Sequence, residues 1–287
     1  MGGVAVMNSK AFVLGDPIGH SLSPLLHQTW LQETGQSGSY QAMHVKPDKL
    51  QTVLADMFAD PSVMGANITL PHKTKIIGFA DEVSLVAKTC NSANILYRKN
   101  GKIIADNTDI AGFVAPLLRD NGQTSQTALV FGAGGAARAV LLGLLQVGVQ
   151  QIWLCNRTDS RAEQLCDEFN TPKIKPLAWA KRNQPDSSPQ MIINASSAGM
   201  TGFAKLDIDL GFCTPKTLVY DLVYTPLATP LLLDAKQRAL QTIGGLDMLI
   251  AQAKPCFKRF FGVVAPEKSQ AKNRLIQALI ERERLKT

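Results

Sequence analysis

The segment V-F-G-A-G-G-A-A at 130–137 restricts the fold more than any other part of this chain. It follows a short apolar run and opens a segment whose apolar residues have helical spacing. Glycine at 132 permits a tight turn, and glycines at 134 and 135 let the backbone approach a pyrophosphate at the helix N-terminus. The pattern predicts a strand, a dinucleotide-binding loop and a helix, the alternative being an ordinary glycine-rich turn. The predicted contacts to the dinucleotide are Gly132, Ala133, Gly134, Gly135 and Ala136.

The residues after the next apolar run indicate which dinucleotide this loop would bind. A site for NAD usually has Asp or Glu here to accept hydrogen bonds from the ribose 2′-hydroxyl, whereas this chain has Asn156. Arg157 and Arg161 can form paired, charge-assisted bonds to a 2′-phosphate, together with the hydroxyl of Thr158. The segment favours NADP as the cofactor; a capped helix with ordinary surface arginines is the alternative.

Short β-rich runs alternate with helical runs along the 287 residues. Strands are predicted at 11–15, 40–45, 63–69, 93–97, 102–105, 128–132, 151–155, 191–194 and 218–222. Helices are predicted from 23 to about 35, from 47, at 109–121, 136–146, 161–169 and 230–240, and from about 247 and about 266. A chain of this length is expected to form two domains, and the alternation predicts parallel sheets covered by helices.

The order of these elements predicts an α/β protein with two domains. Residues 1–110 would form an N-terminal substrate-binding domain, completed by C-terminal helices at 247–287 that return to it. Residues 111–246 would form a Rossmann-type domain that binds NADP, because the glycine-rich loop lies within them.

Cysteine and charge patterns exclude several classes of protein. The five cysteines are odd in number and lack C-x-x-C spacing, so neither a disulfide framework nor a metal site is expected. No run of about 18–20 apolar residues and no secretory signal is evident, so we expect a soluble cytoplasmic protein without a membrane partner. The net charge of +7 is scattered, which argues against a nucleic-acid partner and suits an anionic small molecule.

Three polar clusters precede the glycine-rich loop. They are G-D-P-I-G-H-S-L-S-P at 15–24, G-A-N-I-T-L-P-H-K at 65–73 and D-N-T-D at 106–109. The hydroxyls of Ser21 and Ser23 can point at an anion, helped by the helix N-terminus that follows. Taken singly, each cluster also has an ordinary explanation: Ser23 can cap a helix, Lys73 can be solvated, and D-N-T-D can form a turn.

Taken together, the motifs resemble the shikimate dehydrogenase family over nearly the whole chain. Besides the three polar clusters, the matching motifs in order are G-A-G-G-A-A, N-R-T-x-x-R, I-N-A-S-S-A-G-M, D-L-V-Y-T-P and G-L-D-M-L-x-x-Q-A. The resemblance implies reversible reduction of 3-dehydroshikimate to shikimate with NADPH, a step in aromatic amino-acid biosynthesis. It implies a cytoplasmic enzyme, a monomer or homodimer, that needs no metal.

The same resemblance implies roles for matching positions in this sequence. Ser21 and Ser23 would bind the substrate carboxylate, and Lys73 and Asp109 would form the catalytic pair. The implied hydrogen-bond partners of the substrate hydroxyls are Thr69, Asn94, Asp109 and Gln252, with Tyr224 nearby. The implied cofactor contacts are Gly132 to Ala136, Asn156, Arg157, Thr158, Arg161, Leu222 and Gly245.

The implied catalytic pair has a chemical rationale. Hydride transfer to a ketone builds negative charge on its oxygen, which an ammonium on Lys73 can stabilise and protonate. Asp109 would hold that ammonium in place by its opposite charge. The chain departs from the family pattern at Leu85, Ile110 and Asp247 and in the run at 88–94.

Three other functions remain open. A quinate/shikimate dehydrogenase would share the fold but accept quinate and often NAD, against which the paired arginines argue. A methylenetetrahydrofolate dehydrogenase shares the two-domain plan and a lysine, but Ser21 and Ser23 with D-N-T-D suit a small carboxylate better. A non-enzymatic NADP-sensing protein would be expected to have lost Lys73 or Asp109, and both are present.

Overall fold

A computed structural model describes residues 8–119, 126–185 and 188–285. The chain forms two compact units, each built on a six-stranded sheet, which confirms the predicted two-domain α/β class. The first unit contains the described residues up to Asp109 together with Ile250–Ala278. The second contains Ile110–Leu249 and the described residues from Leu279 onwards. Within the described ranges, no helix is both long and apolar enough to cross a membrane.

Parallel and antiparallel strands combine in the sheet of the first unit. Its strands are β1 Ser9–Gly15, β2 Gly38–His44, β3 Val63–Ile68, β4 Glu82–Val83, β5 Ile95–Lys99 and β6 Lys102–Asp106. The helices before Asp109 are α1 Ser23–Thr34, α2 Leu50–Ala59 and α3 Leu85–Cys90. In the order β2-β1-β3-β5-β6-β4, strand β5 runs antiparallel to both of its neighbours. Strands β1, β3 and β6 therefore point the same way, and their carboxyl ends lie at one edge.

The hairpin of β5 and β6 shows how local sequence shapes this edge. Asn100 and Gly101 adopt left-handed conformations with φ of 51° and 78°, as a tight two-residue hairpin turn requires. The pairing extends from this turn to Ile95 opposite Asp106. The register shows that the strands predicted at 93–97 and 102–105 form a hairpin, and it brings the residue before β5 beside the D-N-T-D turn.

The sheet of the second unit is parallel at every strand pairing. Its strands are β7 Thr127–Phe131, β8 Gln151–Cys155, β9 Ile174–Leu177, β10 Met191–Asn194, β11 Leu218–Asp221 and β12 Gln241–Gly244. The helices from Asp109 onwards are α4 Asp109–Arg119, α5 Gly135–Gln146, α6 Asp159–Phe169, α7 Pro230–Gln237, α8 Gly245–Phe261 and α9 Ala271–Arg284. The order β12-β11-β10-β7-β8-β9 is that of a doubly wound dinucleotide-binding sheet, with the glycine-rich loop after β7.

Two predicted helix starts differ in the structure. The sequence favours Ser23 as the cap of α1, but Leu22 occupies the cap and Ser23 lies in the first turn. The second helix begins at Leu50 rather than Pro47, because a hydrogen-bonded turn ends at Lys49. No side chain caps α1, so the hydroxyl of Ser23 is not used for that purpose. The predicted helix at 109–121 extends to positions 120 and 121, which lie outside the described residues.

A histidine lies in the core of the first unit. His27 from α1 has no exposed surface, and its ring stacks on Tyr40 with a centroid distance of 4.0 Å. Trp30 and Phe257 pack against the same ring, and neither ring nitrogen has a hydrogen-bond partner among the described residues. Burial lowers the pKa of His27 from 6.5 to about 3, so the ring is neutral in the folded protein.

We expect His27 to make the protein less stable as the pH falls below about 6.5. Between a folded pKa of about 3 and an unfolded value of 6.5, the unfolded chain binds more protons at this residue, so stability decreases with falling pH. Relative to His27→Leu, the wild type should lose about 1.4 kcal/mol between about pH 7.5 and about pH 5.5. Urea unfolding of both proteins measures this difference.

The matched control for this experiment is His20→Leu, the same change at an exposed position. It should follow the pH dependence of the wild type, because that variant keeps the buried ring of His27. Identical pH dependence in wild type and His27→Leu would contradict the burial of a neutral imidazole at this position.

Candidate active site

Polar clusters meet at the carboxyl edge of the first sheet. They are the residues at 15–24 after β1, the residues at 65–73 that include the end of β3, and D-N-T-D at 106–109 at the end of β6. Thr69 N donates to Leu14 O over 2.9 Å, so the first two clusters lie side by side. Ligands of α/β sheets commonly bind at the carboxyl ends of the strands, which makes this edge the candidate substrate site.

An ion pair joins the second and third clusters. Lys73 Nζ lies 2.6 Å from Asp109 Oδ2, and the two side chains are only 15% and 6% exposed. The backbone on each side is also fixed: Ala93 N donates to Lys73 O over 2.8 Å, and Asp109 N donates to Asn107 Oδ1 over 2.9 Å. The lysine ammonium and the carboxylate are therefore held in one place by several bonds.

An amide cluster surrounds the carboxylate of this pair. Asn94 Nδ2 lies within hydrogen-bond distance of Asp109 Oδ1 at 2.8 Å and Thr108 Oγ1 at 2.9 Å, and Asn94 Oδ1 accepts from Thr108 N. Gln252 Oε1 lies 3.2 Å from Asn94 Nδ2 and 3.3 Å from Thr108 Oγ1. The structure thus brings four predicted site residues into one network: Lys73, Asn94, Asp109 and Gln252. Thr108 also belongs to this network, although the sequence did not indicate a role for it.

The hydroxyl residues of the first two clusters lie beside this edge. A Cβ on Gly15 would stand 2.5 Å from Thr69 Cγ2, so glycine at this position allows the close approach of the two segments. Thr69 is partly exposed, as is Ser21, whose Oγ accepts from Ser23 N over 3.3 Å. Ser23 is 6% exposed. Ser21 stands in the loop that leads from β1 into α1, and Ser23 is the first residue of α1.

A partly buried ion pair, which the sequence did not reveal, supports the D-N-T-D turn. Asp106 Oδ2 accepts from Arg259 Nη2 over 2.5 Å, and its Oδ1 accepts from Ser84 Oγ over 2.5 Å and from Asn107 N over 2.8 Å. Arg259 follows Gln252 by two helical turns, so both lie on one face of α8. That spacing was a usable signal, but nothing in the sequence shows which strand the face would meet.

A second support involves a buried cysteine. Asn67 accepts from Tyr40 OH over 2.7 Å, and its Nδ2 lies 3.1 Å from Cys256 Sγ and 3.2 Å from Asn94 O. Cys256 Sγ also lies 3.4 Å from Thr108 Oγ1. Burial raises the pKa of the Cys256 thiol to about 11, so it is protonated and acts as a hydrogen-bonding group rather than a nucleophile.

The glycine-rich loop of the second unit has the geometry of an anion site. Gly132 has φ of +109°, and a Cβ there would lie 3.0 Å from the backbone of Ala195. Gly134 caps α5 without a side chain and is exposed, and an added Cβ would meet nothing within 4 Å. The first N–H groups of α5 are therefore available to a phosphate group. These features fit a bound dinucleotide.

The residues after β8 fit a phosphate on the adenosine ribose. Arg157, Thr158 and Arg161 are exposed around the start of α6, and Asn156 Nδ2 shapes the loop by donating to Thr158 O over 2.9 Å. Neither arginine forms an ion pair with an acidic side chain in the described part of the chain. Both guanidinium groups can therefore bind an anionic ligand without breaking an ion pair there.

The remaining predicted cofactor residues lie at the ends of β11 and β12. Gly245 approaches the backbone of Leu222 so closely that any Cβ would overlap Leu222 O. Tyr224, assigned to the substrate by resemblance, follows β11 and is partly exposed. Asp247, one of the departures from the family pattern, lies 3.5 Å from Arg119 Nη1, so an opposite charge stands beside it.

Comparisons of the sequence with known proteins agree with this geometry. Residues 13–96 match the model of the shikimate dehydrogenase substrate-binding domain, and residues 118–208 match that of shikimate/quinate 5-dehydrogenase. A shikimate dehydrogenase (NADP(+)) of Cereibacter sphaeroides is 43% identical over 258 residues, which cover 88% of this chain and 91% of that relative.

The backbone of this chain is also similar to those of solved structures. A shikimate 5-dehydrogenase of Thermus thermophilus, in complex with NADP(H) and shikimate, has a TM-score of 0.82 at 30% identity, covering 94% of this chain and 99% of its own. A ligand-free 5-ketofructose reductase of Gluconobacter sp. strain CHM43 has a TM-score of 0.83 at 26% identity, covering 95% and 99%. A similar backbone therefore occurs in enzymes that are named for different substrates. The sequence matches, in contrast, are to shikimate dehydrogenases. The chain belongs to the shikimate dehydrogenase family.

Proposed function

We propose that this chain catalyses the reversible, NADP-dependent reduction of 3-dehydroshikimate to shikimate. The observation that carries the proposal is the largely buried ion pair of Lys73 and Asp109, whose ionised atoms lie 2.6 Å apart within a polar network. Buried titratable groups held together at a strand edge are typical of catalytic sites. The relative from Cereibacter sphaeroides described above is named for this reaction and this cofactor.

The side chains at this edge suit a small polyhydroxylated carboxylate. A substrate hydroxyl both donates and accepts hydrogen bonds, and the amides of Asn94 and Gln252 and the hydroxyl of Thr69 can do the same. Ser21 and Ser23 add hydroxyl donors for the carboxylate. Such a site would discriminate strongly, because a ligand without matching hydroxyls would leave buried polar groups unpaired.

Lys73 would transfer the proton in this reaction. During reduction, negative charge develops on the carbonyl oxygen of the substrate, and the ammonium of Lys73 stabilises that charge and donates a proton to it. During oxidation, the amine takes the proton back from the hydroxyl. Asp109 keeps the ammonium oriented through the 2.6 Å contact, so little reorganisation is needed as the charge develops.

The second unit would hold the cofactor. Bound NADPH supplies the hydride for the reaction. The N-terminus of α5 would bind its pyrophosphate, and Arg157 and Arg161 would bind its 2′-phosphate, with Thr158 and Asn156 beside them. The close approach of Gly245 to Leu222 leaves no room for a side chain at this place.

We also place the enzyme in the cytoplasm, on the basis of its cysteines. All five are free thiols in the structure, and four of them are buried. Burial raises the pKa of Cys155 to about 12 and that of Cys166 to about 11, so these thiols are protonated. Free structural thiols of this kind are typical of a reducing compartment.

A substrate and cofactor panel tests the proposed function. Initial rates of NADP⁺ reduction are measured with shikimate, with quinate and without either acid, and all three series are repeated with NAD⁺. We expect shikimate-dependent reduction, with kcat/KM for NADP⁺ about 10²-fold above that for NAD⁺, because only NADP⁺ offers a phosphate to the two arginines. Faster turnover of quinate with NAD⁺ would favour a quinate dehydrogenase instead, and no turnover of either acid would contradict the proposal.

A further inference from the structure

The second unit contains a buried carboxyl group that is not among the proposed cofactor contacts. Asp221, at the end of β11, has no exposed surface and no ion-pair partner in the described part of the chain. Its Oδ1 accepts from Asn194 Nδ2 over 2.9 Å and from Val223 N over 3.0 Å, and its Oδ2 accepts from Thr229 Oγ1 over 2.6 Å. Burial raises the pKa of Asp221 to about 6, although these hydrogen bonds act to lower it. A carboxyl group with neutral partners alone is costly to bury, so its presence calls for a physical reason.

The hydrogen bonds of Asp221 connect two loops. The β10 loop comprises residues 195–200 and the β11 loop comprises residues 222–229. Asn194, which donates to Asp221, also donates to Ala198 O over 2.9 Å within the β10 loop. Thr229, at the far end of the β11 loop, caps α7. One carboxyl group therefore fixes the start of the β10 loop and both ends of the β11 loop.

Both loops lie against residues predicted to contact the dinucleotide. Gly132 of the glycine-rich loop packs on Ala195, the first residue of the β10 loop. Leu222, the first residue of the β11 loop, packs on Gly245, and Leu222 N donates to Asn194 O over 3.0 Å. Movement of either loop would therefore alter the predicted cofactor surface on the β10–β12 side of the sheet.

The sheet order indicates which half of the dinucleotide these loops would meet. A dinucleotide crosses a doubly wound sheet at the switch point, here between β7 and β10. The arginines for the 2′-phosphate follow β8, on one side of that point. The nicotinamide half therefore belongs on the other side, above β10 and β11.

We propose that Asp221 is a positioning residue for the nicotinamide half of NADP, acting by tying the β10 loop to the β11 loop. The inference rests on the proposed function, because it takes NADP as the cofactor. Asp221 itself would touch neither cofactor nor substrate. Loss of its hydrogen bonds would loosen the loops that carry Leu222 and pack on Gly132, while the arginines after β8 would keep their arrangement.

Fragment binding distinguishes this role from a merely structural one. Adenosine 2′,5′-bisphosphate carries the 2′-phosphate and the adenosine-side phosphate of NADP but no nicotinamide, so it reports on the adenosine half of the site alone. The dissociation constants of this fragment and of NADP⁺ are measured for wild type, Asp221→Asn, Thr229→Val and Thr229→Ser. Thr229→Val removes the hydroxyl that donates to Asp221, and Thr229→Ser retains it.

We expect Asp221→Asn and Thr229→Val to weaken NADP⁺ binding about tenfold, with fragment binding within about twofold of wild type. Thr229→Ser should stay close to wild type for both ligands. The steady-state KM for NADP⁺ should rise in the same two variants.

Other outcomes are equally informative. Unchanged NADP⁺ affinity in Thr229→Val, or equal weakening of NADP⁺ and the fragment, would overturn the positioning role, and the threonine pair decides this even if Asp221→Asn does not fold. Failure of wild type itself to bind NADP⁺ would instead refute the proposed function.

Discussion

Replacing Lys73 by alanine is expected to lower kcat for shikimate oxidation by about 10³-fold, while the dissociation constant of shikimate changes by no more than about threefold. The amine exchanges a proton with the reacting oxygen, and its charged form stabilises negative charge there, so its loss raises the barrier more than it weakens ground-state binding. Initial rates of NADP⁺ reduction at saturating shikimate measure the first quantity. Calorimetric titration with shikimate measures the second.

The matched control is Lys75→Ala, which removes an exposed lysine from the same turn. Its kcat should equal that of wild type, because an exposed lysine outside the polar network has no part in the reaction. Undiminished turnover in Lys73→Ala would remove this residue from the mechanism. Equal losses in both variants would point to a disturbed turn rather than to lost chemistry.

Replacing Arg157 and Arg161 together by glutamine should lower kcat/KM for NADP⁺ by about 10²-fold and leave that for NAD⁺ nearly unchanged. Hydrogen bonds to a charged partner contribute about 1.5–3 kcal/mol each, and exposure to solvent and salt reduces this for surface arginines. NAD⁺ has no 2′-phosphate, so removal of the guanidinium groups takes no hydrogen bond away from it. Initial rates with each cofactor at fixed shikimate give the change in preference.

Arg238→Gln provides the control for the paired arginine change. Arg238 is an arginine of the same unit that pairs with Asp234 and Asp209, outside the loops assigned to the cofactor. Its loss should leave the preference for NADP⁺ intact. Parallel losses with NADP⁺ and NAD⁺ in the double variant would indicate a change in loop structure, and an unaltered NADP⁺ rate would place the 2′-phosphate elsewhere.

The features that could be predicted from sequence are those whose physical requirements are local. The glycine-rich loop needs a residue with positive φ at Gly132 and an uncapped helix start, and both follow from neighbouring residues. The turn at Asn100 and Gly101 likewise requires two residues that tolerate positive φ. In each case, the chain segment itself carries the information that determines its geometry.

The polar network could not be predicted from the residues alone, because its members are far apart in the chain. Lys73 and Asp109 are 36 residues apart, and each has an ordinary explanation singly. Asp106 and Arg259 are separated by 153 residues. Only the fold brings such groups together. The family resemblance suggested the first pair, and no local pattern suggested the second.

The short strand β9 and the short helix α3 could not be predicted from the sequence either. β9 contains Pro176, which lacks an N–H group and is typical of edge strands rather than of strand interiors. α3 has six residues, too few to show a helical period, and Ser84 caps its start by accepting a hydrogen bond from Ala87 N. Tertiary packing rather than sequence periodicity stabilises elements of this length.

In the proposed mechanism, Lys73 and Asp109 act as one catalytic unit. A double-mutant cycle measures this directly, from kcat for shikimate oxidation by wild type, Lys73→Ala, Asp109→Asn and the double variant at saturating NADP⁺. We expect the double variant to be no more than about threefold slower than the slower single variant, because the second change removes a partner already lost. Independent effects, with the two losses multiplying in the double variant, would contradict it.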